Sequence, residues 1–520
     1  MEKLINKLKE EQYKIPFMSG LVIGLITHMF MIVNKFPNGD SMTNFYFDQN
    51  MVTSGRWFLT IACGISSFYD LNFVNGLLAI IFLSISAVFI TRFFDVKKKT
   101  TLILVPAVMA TFPAVAATMS YMYTVDGYML GLLFAVVAAY LSKKYKFGFF
   151  AGMVFLALSL GTYQAYVSVA ILLCLFDIIF AVIDNEDIYT LWNKGFKYLM
   201  MGIGGGALYY GILKICLLVQ HKELDTYQGI NEMTHISLSS IPERLFKMYY
   251  DFVAFAFSGR IFVNNFLTMI IMSTIVAASM VAIFVLFIKN KAFKRWYSWL
   301  ILLLCIGLMP FGANTVLLMM SPAGEYHLVM RLQWVIFIVA IVVISEKTIA
   351  AFETVKDKLI VPKTVSVVLV ALLCYNFLLM DNIAYFNMQQ QYEKSYAYCV
   401  RLLDRIEQTE GYVQGMPICM VGEISEKSFP QTELTYDITS KIRGTDGSFL
   451  FYRGEQYEEF IKNYLGATLN ILEGDYVVDM YYSEEYSTMS SFPDKNSIKI
   501  VNGIIHIHYI IAFKNIECGS

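Results

Sequence analysis

The chain has 520 residues, of which 57% are hydrophobic and 16% charged, and 40 Lys and Arg face 41 Asp and Glu. Globular domains carry about a quarter charged residues, so this composition excludes an ordinary soluble protein and points to a polytopic α-helical membrane protein. Near-neutral charge without a basic stripe interleaved with aromatics excludes nucleic acid as a partner.

A hydrocarbon core of roughly 30 Å needs about 20 apolar residues as helix. Windows at residues 15–34, 72–91, 102–119, 126–142, 147–162, 165–183, 198–219, 262–288, 298–320, 330–346 and 364–384 predict a bundle of about 11 transmembrane helices. The first window is too long, and too poorly followed by small residues, for a cleaved signal peptide, and it reads as a retained anchor. Lysines and arginines cluster before the first span (Lys3, Lys7, Lys9, Lys14), after the second (Arg92, Lys97, Lys98, Lys99) and after the fourth (Lys143, Lys144, Lys146). They recur at Lys289, Lys291, Lys294 and Arg295, and at Lys347, Lys356, Lys358 and Lys363. The positive-inside rule makes these loops and the N-terminus cytoplasmic, and leaves the segments at 35–71, at 220–261 and after 384 outside. Eight cysteines without a CxxC pair, mostly inside apolar runs, predict packing residues rather than ligands or a disulfide framework.

Two domains follow: residues 1–384 in the membrane, and a C-terminal extracytoplasmic α+β domain over 385–520. Its expected elements are a helix at 384–410, a strand at 416–421, a helix at 455–465 and strands at 476–482 and 498–511. Walker, HExxH and GxSxG motifs on a suitable loop are missing, which argues against ATP hydrolysis and against metalloprotease or serine-hydrolase chemistry.

The ionisable residues Asp40, Asp48, Arg56, Asp126, Arg260 and Arg331 all fall where spans reach the same predicted face. A helix beginning near Ser41 would place Asn44 and Asp48 on roughly one face with Asp40 just before it. Trp57, Phe58, Ile61 and Ile65 have the spacing of a helix lying in the membrane interface. Each residue also has a plainer reading: Asp40 as a helix cap, Asp48 as the ion-pair partner of Arg56, Arg260 snorkelling to headgroups and His327 as an interfacial histidine. Asp126 at a span end either caps it or, beside Tyr121 and Tyr123, binds sugar hydroxyls. Tyr163 and Tyr166 read as belt residues, and Gln164 between them stands out as polar.

Ser54-Gly55-Arg56-Trp57, Tyr121-Met122-Tyr123, Asp126-Gly127-Tyr128-Met129-Leu130 and Gly161-Thr162-Tyr163-Gln164-Ala165-Tyr166, in that order after a first helix and an acidic loop, resemble the GtrII-type glucosyltransferases. The resemblance covers the membrane part and is strongest over the first third. Its pattern carries an adjacent acidic pair where this chain has Gly39-Asp40. The resemblance implies a GT-C-like fold and a polyprenyl-phosphate sugar donor entering from the membrane. It also implies an acidic residue of the first outer loop as base and a cell-surface polysaccharide or wall polymer as acceptor.

On that scheme Asp40, with Asp48 nearby, is the catalytic carboxylate. Arg331, Arg260, Arg56 and His327 are the candidates for the donor phosphate, because arginine binds phosphate through a planar fork at any working pH. Asp126, Tyr121, Tyr123, Tyr163, Gln164 and Trp57 are the candidates for sugar and acceptor. Asp40, Asp48 and Asp126 are hard oxygen ligands, but their spacing requires no metal, and no cofactor is expected. A lipid-linked polymer polymerase or ligase would share these features. A secondary transporter would instead place charges at mid-span in repeated halves.

Overall fold

The computed structural model describes residues 10–43, 45–225, 241–257, 265–320, 325–352, 356–422, 433–450, 454–502 and 509–514. The chain forms two compact units. One comprises Met1–Asn34, Tyr46–Asn382 and Lys441–Arg443, and the other Lys35–Phe45, Ile383–Ser440 and Gly444–Ser520.

The first unit is a helical bundle: α1 (Glu11–Val33), α2 (Leu59–Cys63), α3 (Asn72–Phe93), α4 (Lys99–Thr111), α5 (Pro113–Met119), α6 (Val125–Lys144), α7 (Gly148–Thr162), α8 (Val167–Ile183), α9 (Ile188–Gln220), α10 (Ile241–Phe257), α11 (Phe266–Lys289), α12 (Trp296–Ala313) and α13 (Val335–Ala351). The start of α14 (Lys356–Glu407) completes it. Among the described residues nine helices are long and apolar enough to cross a membrane, or ten if α4 and α5 form one span. That pair bends by 47° at Phe112, where Pro113 supplies no N–H and its ring disfavours a helical residue before it. α7, with 15 residues, is apolar but shorter than these nine, and α14 runs for 52 residues without the break expected at 384.

One rim of this bundle gathers the basic loops. Lys143 Nζ lies 2.7 Å from Asp177 Oδ1 and Lys194 Nζ 3.5 Å from Asp177 Oδ2, with Tyr198 donating to the same carboxylate at 2.7 Å. Lys99 pairs with Glu11, Lys347 with Asp184, and Arg295 donates to the Asn185 and Glu186 carbonyls. The opposite rim has no such lysine lattice among the described residues. Polar side chains cross-tie its turns there: Asn72 donates to the Asn34 carbonyl at 2.8 Å and Asn75 to the Met122 carbonyl at 3.1 Å.

The second unit also contains α15 (Glu433–Thr439), and in it the tail of α14 and α16 (Gly454–Phe460) pack with a mixed four-stranded sheet. Its order is β2 (Asn470–Leu472), β1 (Pro417–Val421), β4 (Tyr509–Lys514), β3 (Ile498–Asn502). β1 pairs parallel with both neighbours, and β3 antiparallel with β4. Tyr398, Leu402, Ile406, Ile418, Phe449, Tyr457, Phe460 and Phe492 form its core, together with Met42 from the segment after α1. Residues 476–482, expected as a strand, belong instead to α17 (Asp475–Tyr481). Met480 is buried there against Cys419 and Val421 of β1, so packing on the sheet overrides the β-branched local preference. The expected strand at 498–511 is two strands, β3 and β4.

Candidate active site

The second rim carries the turn Met51–Arg56. Val52–Ser54 form a short 3-10 helix closed by Gly55 at φ +75°, a left-handed conformation that glycine adopts without steric cost. The space around it is also closed. A Cβ on Gly55 would stand 2.6 Å from Gln164 Nε2 and 2.6 Å from Tyr209 Oη. Those two atoms bind the turn's backbone: Gln164 Nε2 donates to the Ser54 carbonyl at 2.9 Å, and Tyr209 Oη to the Gly55 carbonyl at 3.1 Å. Gln164 also donates to Tyr209 Oη at 3.2 Å. Gln164, expected to meet sugar, therefore holds the turn that presents Arg56.

Arg56 Nη1 donates to Tyr128 Oη at 3.0 Å, and its guanidinium lies 5.0 Å from the Tyr163 ring centre. Tyr128 and Tyr163 stack at 4.7 Å, and Tyr166 meets Tyr163 edge-on at 5.3 Å. Burial raises the Tyr163 phenol pKa, and the positive charge of Arg56 works against that rise; Tyr121 and Tyr326 are close enough to be felt there too. Trp57 lies over Gly161, where a Cβ would come within 2.6 Å of the indole ring. The Phe58 N–H donates to the Gly161 carbonyl at 2.8 Å. The Trp57 indole Nε1 finds no protein acceptor among the described residues. Ile61 and Ile65 face outward from α2 and the turn after it, as an interfacial helix requires.

Asp126 is not at the surface of the bundle. It lies in the first turn of α6, fully buried, where a carboxylate complements the helix dipole. Ser66 and the Gly127 N–H approach it, yet neither closes a hydrogen bond of normal length. Tyr121 precedes the 3-10 turn Met122–Thr124 and Tyr123 lies within it; both are half-buried. The Tyr123 carbonyl accepts from Gln49 Nε2 at 3.4 Å.

Arg331, a candidate for the donor phosphate, is 2% exposed. Asp251 of α10 engages its guanidinium through a bidentate pair at 2.6 and 2.7 Å. The guanidinium lies 3.7 Å from the Tyr326 ring centre and 4.4 Å from that of Phe255. Asn314 donates to Asp251 at 3.1 Å, and Gln333 to Tyr326 Oη at 2.8 Å. Burial raises the Tyr326 phenol, with Arg331 opposing. His327 lies beside Glu325 at 3.3 Å. Arg260 lies outside the described residues.

The acidic loop is not the expected helix. Ser41–Thr43 make one 3-10 turn, Asn44 is outside the described residues, and Tyr46 bridges to Tyr69. Asp48 is exposed and accepts from the Asn50 N–H at 3.0 Å; no ion pair joins it to Arg56 among the described residues. Asp40 lies in the second unit, exposed at the tip of a turn that Asn38 and Ser41 close. Asn38 N donates to Ser41 Oγ and Ser41 N to Asn38 Oδ1, both at 2.9 Å, and Ser41 Oγ donates to the Asn38 carbonyl at 3.1 Å. Asn38 and Ser41 thus tie together the turn on which Asp40 stands.

Sequence reasoning missed Tyr209, Asp251, Tyr326, Asn314 and Gln333. Asp251 left one trace, as the acid among Arg244, Met248 and Phe255 at helical spacing in the otherwise aromatic 241–257 segment.

An apolar bundle of helices long enough to cross a membrane, with an arginine laid on stacked tyrosines at one rim, defines a polytopic membrane protein with a polar site at its edge. Residues 29–344, more than half of the chain, match the family model described as Glucosyl transferase GtrII, and the chain belongs to that family. It is a membrane glucosyltransferase. No curated protein and no solved structure gives a match.

Proposed function

We propose that this glucosyltransferase moves glucose from a polyprenyl-phosphate donor to a hydroxyl of a cell-surface polysaccharide or wall polymer, on the extracytoplasmic face of a bacterial plasma membrane. The acceptor oxygen attacks the anomeric carbon as the bond from that carbon to the donor phosphate oxygen breaks. The configuration inverts, the hydroxyl proton passes to Asp40, and polyprenyl phosphate leaves.

The observation that supports this reading best is the Arg56 turn, locked by Gln164 and Tyr209 and laid on the Tyr128–Tyr163 stack. A permanently charged planar fork, prepositioned before the ligand arrives, is suited to stabilising charge that develops on a leaving phosphate. Trp57, whose buried indole N–H has no protein acceptor among the described residues, and the half-buried Tyr121 and Tyr123 are assigned to the sugar. Asp126 and the Asp251–Arg331 pair are assigned to supporting the rim. Asp48 stays a second carboxylate near the acceptor, and His327 and Arg260 remain assigned to the outer edge of the donor phosphate. The lysine-rich rim then faces the cytoplasm.

Purified protein, given polyprenyl-phosphate glucose and envelope polysaccharide, tests the assignment. Asp40→Asn should lower turnover by about 10²–10⁴-fold, the usual worth of a general base. Arg56→Ala should raise the donor concentration needed for half-maximal rate by at least about tenfold, the loss of one charge-assisted contact. Full transfer by folded Asp40→Asn removes the base.

A further inference from the structure

The matched family region contains the Asp40 turn, yet that turn is built into a unit whose other parts lie beyond the match. Met42, two residues after Asp40, is fully buried in a core made by Tyr398, Leu402, Phe449, Leu450, Tyr457 and Phe460. The Met42 carbonyl accepts from Asn463 Nδ2 at 3.4 Å. On either side of the turn, Phe36 meets Tyr392 at 6.2 Å and Phe45 meets Tyr464 at 5.6 Å between ring centres. At the tip, the Leu450 carbonyl would stand 3.5 Å from a Cβ on Gly39. Aromatic contacts before and after, a buried methionine between, and a backbone bond from Asn463 fix this eleven-residue segment, Lys35–Phe45, at several points. Asp40 is left exposed among them.

We propose that the C-terminal domain is the clamp that sets the position of Asp40, with Met42, Asn463 and Tyr464 as positioning residues. A domain serving only to bind acceptor has no need to bury a side chain of this segment in its core. The clamp does so two residues from the carboxylate. Reaction rates fall by about 10²-fold for a misplacement of about 1 Å, so anchoring this close to the base is where such a domain acts on rate. This inference rests on Asp40 being the base.

The test uses membranes carrying the full-length chain, radiolabelled polyprenyl-phosphate glucose as donor and the endogenous envelope polysaccharide as acceptor. Tyr464→Ala and Asn463→Leu should each lower kcat by about ten- to a hundredfold. The KM for donor and the thermal midpoint of the protein should stay as in the wild type. Tyr464→Phe, which keeps the ring against Phe45, should restore kcat. A merely structural role would lower the thermal midpoint and the amount of active protein together, leaving kcat per folded molecule intact. Exposed Asn463 carries the test if Tyr464→Ala fails to fold. Wild-type kcat in both variants, beside an inactive Asp40→Asn, overturns the clamp and leaves the base standing. An active Asp40→Asn overturns the base, whatever the clamp variants do.

Discussion

At the residue scale, Gly55 concentrates the constraints of the site. Its φ of +75° disfavours any side chain, and the two atoms a Cβ would meet at 2.6 Å are those that hold the turn. Gly55→Ala must therefore move Gln164, Tyr209 or the turn itself, and with it Arg56. We predict a loss of about 1–3 kcal/mol in stability, the usual cost of a strained backbone position, and a larger proportional loss in glucosyl transfer, measured on the folded fraction. Wild-type transfer by Gly55→Ala would separate the turn from catalysis. Short motifs made Arg56, Trp57, Tyr163 and Gln164 readable from sequence, because they are polar or aromatic residues in tight turns between apolar runs. Burial was not readable. The same pattern that marks Asp126 as a span-end acid is silent on whether the acid faces water or the interior, and it lies inside. The Arg331–Asp251 pair was unreadable for a related reason: the two lie 80 residues apart in the chain, and a single sequence read alone cannot reveal such a pairing.

At the element scale, hydropathy and length recovered the helical spans well, since in a bilayer every backbone polar group must be satisfied within the segment. Where helices leave that regime the reading weakened. Residues 475–481 fold as a helix on the sheet of the second unit, and α14 passes 384 without interruption, because no proline or glycine stops it. α10 is the clearest gain from structure. It lies inside what sequence marked as an outer loop, turns Arg244, Met248, Asp251 and Phe255 inward and leaves Phe246, Tyr250, Val253 and Phe257 exposed. Arg244 donates to the Leu318 and Met320 carbonyls at 2.9 and 2.8 Å, so two polar anchors about two turns apart on one face pin the helix down. Removing one partner of a buried pair leaves an uncompensated charge. Asp251→Asn should accordingly cost about 3 kcal/mol, read as a lower thermal midpoint in detergent. An unchanged midpoint would mean that the pair is dispensable for holding α10.

At the scale of the whole molecule, the asymmetry between the two rims of the bundle was legible from lysine placement alone, because headgroup charge and insertion bias act on loops rather than on contacts. It yields a topology prediction. A cysteine in place of exposed Ser67 should react with an impermeant maleimide added outside intact cells, whereas one in place of exposed Lys146 should react only after the membrane is opened. The reverse result would place the Arg56 turn in the cytoplasm and end the proposal of outer-face transfer. The division into units was only partly legible. Composition marks a change near 384, but nothing in residues 35–45 announces that they pack with a partner more than 350 positions later, since such pairings depend on folded geometry.

That discontinuous second unit has a consequence for biosynthesis. Lys35–Phe45 leaves the ribosome early, whereas Phe449, Tyr457, Phe460 and Asn463, which enclose Met42, are made hundreds of residues later. Until those late residues have been translated and delivered to the same side, the loop bearing Asp40 has nothing to close upon. A nascent or truncated chain thus carries this loop unassembled, and under the proposed mechanism its carboxylate is positioned only once residues 449–463 have been made.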